Sequence, residues 1–175
     1  AAMKLLFLCT GNSCRSILAE AIFNQLAPTG WRAVSAGSQP SGSVHPLSLA
    51  RLERAGIATA GLASKSWDSL PFLPDIVITV CASAMMDDCT IYRLGETCPA
   101  YLGPVLRSHW GVADPAHATG TETEIAAAFD AAYQTLRWRI EAFLALPLTQ
   151  LQTDPVRLKF ELDRIGQLLP SAQEA

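Results

Sequence analysis

Six residues near the start of the chain, Lys4-Leu-Leu-Phe-Leu-Cys9, constrain the fold more than any other segment. After the lysine the run is apolar throughout, without the alternation of a half-solvated strand, so a strand built from it must be covered on both faces. The run breaks at once into Gly11-Asn12-Ser13, and from Ser16 to Leu26 the apolar residues Ile17, Leu18, Ala21 and Ile22 fall at helical spacing. Strand, loop and helix in direct succession open a parallel α/β arrangement. The same alternation continues. Trp31 to Ala36 reads as a second strand, followed by the turn-rich Gly37 to Gly42 and a helix from about Pro46 to Ala55 that stops at Gly56. Asp75 to Val80 reads as a third strand. Thr121, with Glu122 and Glu124 behind it, opens the longest helical pattern, which Pro147 ends after Leu146. Asp154-Pro155 then starts a final amphipathic helix that runs to about Leu169. No internal repeat and no second composition divides the chain, so one α/β domain is expected. In such sheets ligands sit beyond the carboxyl ends of the strands.

Composition narrows the function. Of 175 residues half are apolar and 17% are charged, enough apolar mass for one core without a disulfide or metal. The longest nearly apolar stretch, Ile76 to Met86, is shorter than the ~20 residues a membrane helix needs, and the Lys4 run is too short for a secretory signal. A soluble, cytoplasmic chain with no membrane partner is expected. The net charge of −3, with no basic run, argues against nucleic acid as a partner. An anion would therefore be held by local donors. The five cysteines, Cys9, Cys14, Cys81, Cys89 and Cys98, are odd in number and lack the short spacing of a structural zinc site. That leaves burial or thiol chemistry, and no metal.

The loop after the first strand reads Cys9-Thr10-Gly11-Asn12-Ser13-Cys14-Arg15-Ser16. A thiol at a strand end, five residues, and an arginine at a helix start form a ring of main-chain N–H groups around a tetrahedral oxyanion. Thr10, Gly11, Asn12, Ser13, Cys14, Arg15 and Ser16 are the expected oxyanion-binding residues. Gly11 is expected to take a backbone conformation that a Cβ would disfavour, and Asn12 to tie the loop to itself. Arg15 offers a two-pronged donor, and Cys9 the nucleophile beneath the guest. An ordinary thiol is only a few per cent ionised at neutral pH, and full ionisation needs roughly 4 kcal/mol of differential stabilisation. A helix N-terminus contributes up to ~2 kcal/mol, and N–H donors with the Ser16 hydroxyl supply the remainder. The competing reading is an ordinary strand-to-helix turn with two buried cysteines. The strand before and the helix after favour the anion loop, and the missing Gly-Lys-Ser/Thr ending argues against a nucleotide P-loop.

These residues, with Ala19-Glu20 behind them, resemble the anion loop of the low-molecular-weight protein tyrosine phosphatase superfamily, and in particular its thioredoxin-coupled arsenate reductase branch. Ser35-Ala36-Gly37, Ser64-Lys65-Ser66-Trp67, the Asp75 to Cys81 strand and His109-Trp110-Gly111-Val112-Ala113-Asp114-Pro115 are similar to that branch in the same order, over about Met3 to Leu146. The resemblance implies a four-stranded parallel sheet flanked by helices on both faces over 1–146, with an extra C-terminal helical extension over 147–175 packed on the same domain. It implies Asp114 as the general acid, although an aspartate before proline is also a common turn. In the phosphatase relatives a tyrosine pair usually follows the Asp-Pro, whereas Ala116 and His117 follow here, which favours a small inorganic oxyanion.

The implied activity is reduction of arsenate to arsenite. Cys9 attacks the oxyanion, Cys81 attacks Cys9, and a third thiol attacks Cys81 and carries the disulfide to thioredoxin. No bound cofactor is implied, and the chain is expected to act as a monomer. Seven residues separate Cys81 from Cys89, close to the family spacing, and sixteen separate it from Cys98. The local context Gly95-Glu-Thr-Cys98-Pro99 matches the family at Cys98, as if residues had been inserted around Met85 to Arg93. Cys98 is favoured as the third thiol, Cys89 is the alternative, and an insertion that disables the relay is a further one. A phosphatase of the same fold and a non-catalytic oxyanion or thiol sensor remain open beside the reductase. Cys14 is expected to pack behind the loop. Trp138 and Phe143 read as core contacts, Arg137 and Arg139 as a solvated face, and His45, His109 and His117 show no ligand-like spacing.

Overall fold

A computed structural model of the chain describes residues 2–81 and 105–169. The apolar run forms β1, Lys4–Cys9, in which every residue after Lys4 is buried. β1 lies inside a four-stranded sheet of order β2-β1-β3-β4, with β2 Arg32–Gly37, β3 Ile76–Thr79 and β4 Leu106–His109. All three pairings are parallel: Leu5 faces Ala33 on one side and Ile76 on the other, and Thr79 faces His109. This register brings the ends of β1, β2 and β3 to one carboxyl edge, where Cys9 pairs with Gly37 and Val80 N donates to Leu8 O at 2.9 Å.

The helices begin where the local chemistry starts them. α1 is Arg15–Leu26 and follows β1 after only five residues. α2, Pro46–Arg54, is capped by His45, whose Nδ1 accepts from Leu47 N at 3.1 Å. α3, Glu122–Leu144, opens with a reciprocal capping box: Thr121 Oγ1 accepts from Glu124 N at 3.1 Å and Glu124 Oε1 accepts from Thr121 N at 3.2 Å. A short turn of helix, α4, Leu148–Leu151, leads to α5, Pro155–Ile165, capped by Asp154 through Arg157 N at 3.2 Å. α5 stops short of the expected Leu169. At Gly166 the chain comes so close to β4 that an added Cβ would lie 2.6 Å from His109 O and 2.8 Å from Trp110 Cδ1.

The main core joins Leu5, Phe7, Ile76 and Ile78 of the sheet to Leu18, Ile22 and Phe23 of α1, Leu136, Ile140 and Phe143 of α3, and Leu158 and Leu162 of α5. On the opposite face Leu6, Leu8, Val34, Ala36 and Val77 pack beneath Trp67, Leu70 and Phe72. Two α3 expectations are corrected. Trp138 is 42% exposed while Arg139 is only 3% exposed. Arg139 shares the buried stripe of Ala132, Leu136 and Phe143, and its charge is accepted there because carbonyl oxygens satisfy the guanidinium. Phe143 is buried, and Arg137 is half-buried with its Nη1 donating to the Tyr133 hydroxyl at 2.7 Å. Among the described residues no helix is long and apolar enough to cross a membrane.

Candidate active site

The loop between β1 and α1 is fastened from outside through its carbonyls. Cys9 O accepts from Ser38 N at 3.3 Å, Thr10 O from Gln39 N at 2.9 Å, Gly11 O from Ser41 N at 2.9 Å, and Ser13 O from His45 N at 3.1 Å. Ser64 Oγ and Ser48 Oγ donate as well, to Gly11 O at 3.1 Å and Ser13 O at 3.2 Å. The loop's acceptors are thus engaged by the 38–48 segment and by Ser64. Asn12 N donates to Cys9 Sγ at 3.2 Å.

The left-handed residue in this loop is Asn12, with φ +47°, and not Gly11 as expected from sequence. Asn12 is fully buried, and its side chain does more than tie the loop to itself. Its Oδ1 accepts from Lys65 N at 2.8 Å, and its Nδ2 donates to Ser16 Oγ at 2.8 Å and Ser35 Oγ at 2.9 Å. The hydroxyl of Ser35 in turn donates to Glu20 Oε1 at 2.6 Å, and Lys65 Nζ lies 3.5 Å from the same oxygen. Ser16 Oγ is 2.9 Å from Cys9 Sγ. Since Ser16 accepts from Asn12, its own proton is available to the sulfur, and a thiolate at Cys9 would receive two hydrogen bonds. Gly37 permits this closeness: a Cβ there would stand 2.4 Å from Thr10 O and 3.1 Å from Asn12 N.

Cys9, Gly11, Asn12, Ser13, Cys14, Arg15, Asp114 and Ala116 line one cavity of about 50 Å³. That is several times the space a single water requires and far less than an aromatic side chain would fill. Arg15 is buried beside it, its Nη1 donating to Val112 O at 3.0 Å and its Nη2 standing 3.3 Å from Asp114 Oδ2. Asp114 also receives Ala116 N at 3.0 Å and lies 3.5 Å from His117 Nε2. Cys14 is buried and lines the cavity. Burial pushes its thiol up, hydrogen bonds from Ser13 and Ser48 oppose this, and the negative charges of Asp114 and Cys9 add to it. The cavity therefore brings together a free thiol, the loop backbone, a guanidinium and a carboxyl group, a set chemically suited to nucleophilic attack, anion binding and proton transfer.

Cys81 lies one strand over, at the end of β3 and at the same edge of the sheet as Cys9. It is buried and disulfide-bonded, whereas Cys9 and Cys14 are free thiols. Cys89 and Cys98 fall outside the described residues. Among the described residues no cluster of three or more His, Cys, Asp or Glu side chains is placed to hold a metal ion. Sequence reasoning gave no role to Glu20, Ser35, Gly37, Lys65 or the 38–48 tether. Their signal was the family resemblance of Ala19-Glu20, Ser35-Ala36-Gly37 and Ser64-Lys65-Ser66-Trp67, which marked the segments without saying what each side chain holds.

The family model for low molecular weight phosphotyrosine protein phosphatase matches residues 4–156. An arsenate reductase of Bacillus subtilis (strain 168) is 35% identical over 138 residues, covering 78% of this chain and 91% of that relative. A solved structure of an arsenate reductase in the phosphate-binding state shares the fold, with a TM-score of 0.64 and 24% identity over 82% of this chain and 97% of that one. A thioredoxin-dependent arsenate reductase of Corynebacterium glutamicum aligns with a TM-score of 0.51 and 26% identity, over 80% of this chain and 62% of that one.

Proposed function

Because this chain belongs to the low molecular weight phosphotyrosine protein phosphatase family, we propose that it is an arsenate reductase that draws its electrons from thioredoxin. The observation that carries the reading is the single cavity in which Cys9, Arg15 and Asp114 meet, one strand away from a disulfide-bonded Cys81. Arsenate enters with its oxygens on the loop N–H groups and Arg15. Cys9 Sγ attacks arsenic, and one oxygen leaves as water with a proton from Asp114, giving a thiol–arsenate adduct. Cys81 Sγ then attacks Cys9 Sγ. The sulfur–arsenic bond breaks with its electron pair staying on arsenic, so As(V) becomes As(III), arsenite departs, and a Cys9–Cys81 disulfide remains.

A third thiol, Cys98 in preference to Cys89, attacks Cys81 and returns Cys9 as a thiol. Thioredoxin reduces the new disulfide with two electrons. The placement of Cys81 just past β3, at the sheet edge that carries Cys9, supports the first transfer of this order. The reading places the protein in the cytoplasm as a monomer without bound cofactor. The test is arsenate-dependent NADPH consumption through thioredoxin and thioredoxin reductase. Cys9→Ser and Cys81→Ser should each abolish turnover, and of Cys98→Ser and Cys89→Ser only the variant that removes the third thiol should do so. Hydrolysis of p-nitrophenyl phosphate that needs Cys9 but survives loss of the other thiols, without arsenate turnover, would identify a phosphatase instead. Turnover supported by glutathione and glutaredoxin alone would overturn the partner.

A further inference from the structure

The family match ends at residue 156, two residues into α5, so most of this helix lies beyond what the family shares. Its contacts nevertheless converge on the segment that carries Asp114. Trp110 Nε1 donates to Leu162 O at 2.9 Å, and Trp110 is fully buried. Ser108 Oγ donates to Asp163 Oδ1 at 2.7 Å. Gly166 lies against His109 O and the Trp110 indole so closely that no side chain fits between them. The next residue toward Asp114, Gly111, has its carbonyl taken by Arg139 Nη1 at 3.1 Å, while Arg139 Nε holds Leu168 O at 3.0 Å. Burial pulls Arg139 down to about 10, which still leaves it cationic at neutral pH. Val112 O completes the series by accepting from Arg15.

Three consecutive residues, Trp110, Gly111 and Val112, are thus anchored to α5, to α3 together with the chain after α5, and to the anion loop. Backbone bonds from Trp110 N to Thr79 O at 2.7 Å and from Val112 N to Val80 O at 3.2 Å pin the same stretch to the end of β3. Beyond Val112, Ala113, Asp114, Pro115, His117 and Ala118 border a cavity of about 490 Å³ that also reaches Ala128, Ala132 and Arg139. The Asp114 carboxyl group is held directly by Arg15 and by Ala116 N, and the anchors at residues 110–112 fix the backbone that delivers it to them.

We propose that α5 and Arg139 form a positioning brace for Asp114, so that the C-terminal extension is a working part of the catalytic domain. The inference rests on the reading of Asp114 as the proton donor. Misplacing a proton donor by about 1 Å costs on the order of a hundredfold in rate. Gly166→Ala, which wedges α5 away from Trp110, and Arg139→Met should each lower kcat for arsenate by about ten- to a hundredfold. The KM for arsenate should stay within about twofold, since the anion loop is untouched.

The discriminating measurement is the double variant with Asp114→Asn. With the proton donor gone, adding Gly166→Ala or Arg139→Met should change kcat by less than about twofold. Losses that simply multiply would overturn the proposal, because they would show that α5 supports the fold and not the acid. Phe160→Ser, on the exposed side of α5, should leave kcat unchanged. Amide hydrogen exchange of residues 110–118 in the full chain gives an answer independent of turnover. Exchange should rise by at least about tenfold in Gly166→Ala or, if that variant does not fold, in Asp163→Ala, and unchanged protection would overturn the brace. No arsenate turnover by the wild-type protein, together with that rise in the variant, would defeat the reductase reading alone.

Discussion

Replacing Asn12 tests whether the active-site loop is held by one side chain. Asn12→Ala removes three hydrogen bonds, those to Lys65 N, Ser16 Oγ and Ser35 Oγ, all within a fully buried site. At about 1 kcal/mol each they sum to about 3 kcal/mol. Alanine would also have to hold φ near +47°, which costs a side chain without local hydrogen bonds about 1 kcal/mol more. The expected loss is therefore about 4 kcal/mol, a large part of the 5–15 kcal/mol that stabilises a typical domain. Asn12→Gly forfeits the same bonds but adopts that backbone freely, so it should lose about 3 kcal/mol. Guanidinium unfolding followed by tryptophan fluorescence measures both. A loss below about 1 kcal/mol for alanine would refute the hub, and a glycine variant weaker than alanine would refute the backbone argument.

Three further outcomes follow from individual contacts. Gly37→Ala should raise the Kd for phosphate or arsenate by at least about tenfold in calorimetry, because the new Cβ meets the Thr10 carbonyl and the backbone of Asn12, neither of which can rotate aside. Burial, with the Arg139 charge adding to it, holds the His109 imidazole below its ordinary value, so the folded state takes up a proton less readily than the unfolded chain. Stability should accordingly be kept above the ordinary imidazole range and decline as pH falls through it. Tm recorded from about pH 8 to about pH 5 should show a shallower decline in His109→Gln, and parallel curves would exclude the residue. The raised Cys14 thiol should react with iodoacetamide far more slowly than glutathione at neutral pH, as mapped by mass spectrometry, and equal rates would contradict the role of burial.

Adjacency along the chain decided how much could be read from sequence. β1, the loop and α1 are continuous, so the apolar run, the five-residue gap and the helical spacing place Cys9 and Arg15 at one cavity without knowledge of anything else. Helix caps such as Thr121 with Glu124 were equally legible because both partners lie within one turn. Asn12, and not Gly11, took the left-handed conformation because the choice of left-handed residue depends on what the side chain can bond. The partners of Asn12 come from Ser35 and Lys65, far away in sequence. Arg139 failed for the same reason: on a helix alone it is a charge for solvent, and only the carbonyls of Gly111 and Leu168 make its burial tolerable.

On the proposed function, the cavity's affinity for anions would follow from where the loop's acceptors are spent. A peptide carries a donor and an acceptor in opposed directions, so a loop presents a concave face of N–H groups only if its oxygens find partners behind it. Here the partners are Ser38, Gln39, Ser41 and His45, supplied by the chain immediately after β2. β2 delivers them because it runs parallel to β1 in register, with Gly37 beside Cys9. The missing side chain at Gly37, where even a Cβ would not fit, then sets how near that chain approaches. On that reading, a parallel β1–β2 pair ending in glycine is part of the proposed anion site itself, and a net negative protein would need no wider positive field to hold its guest.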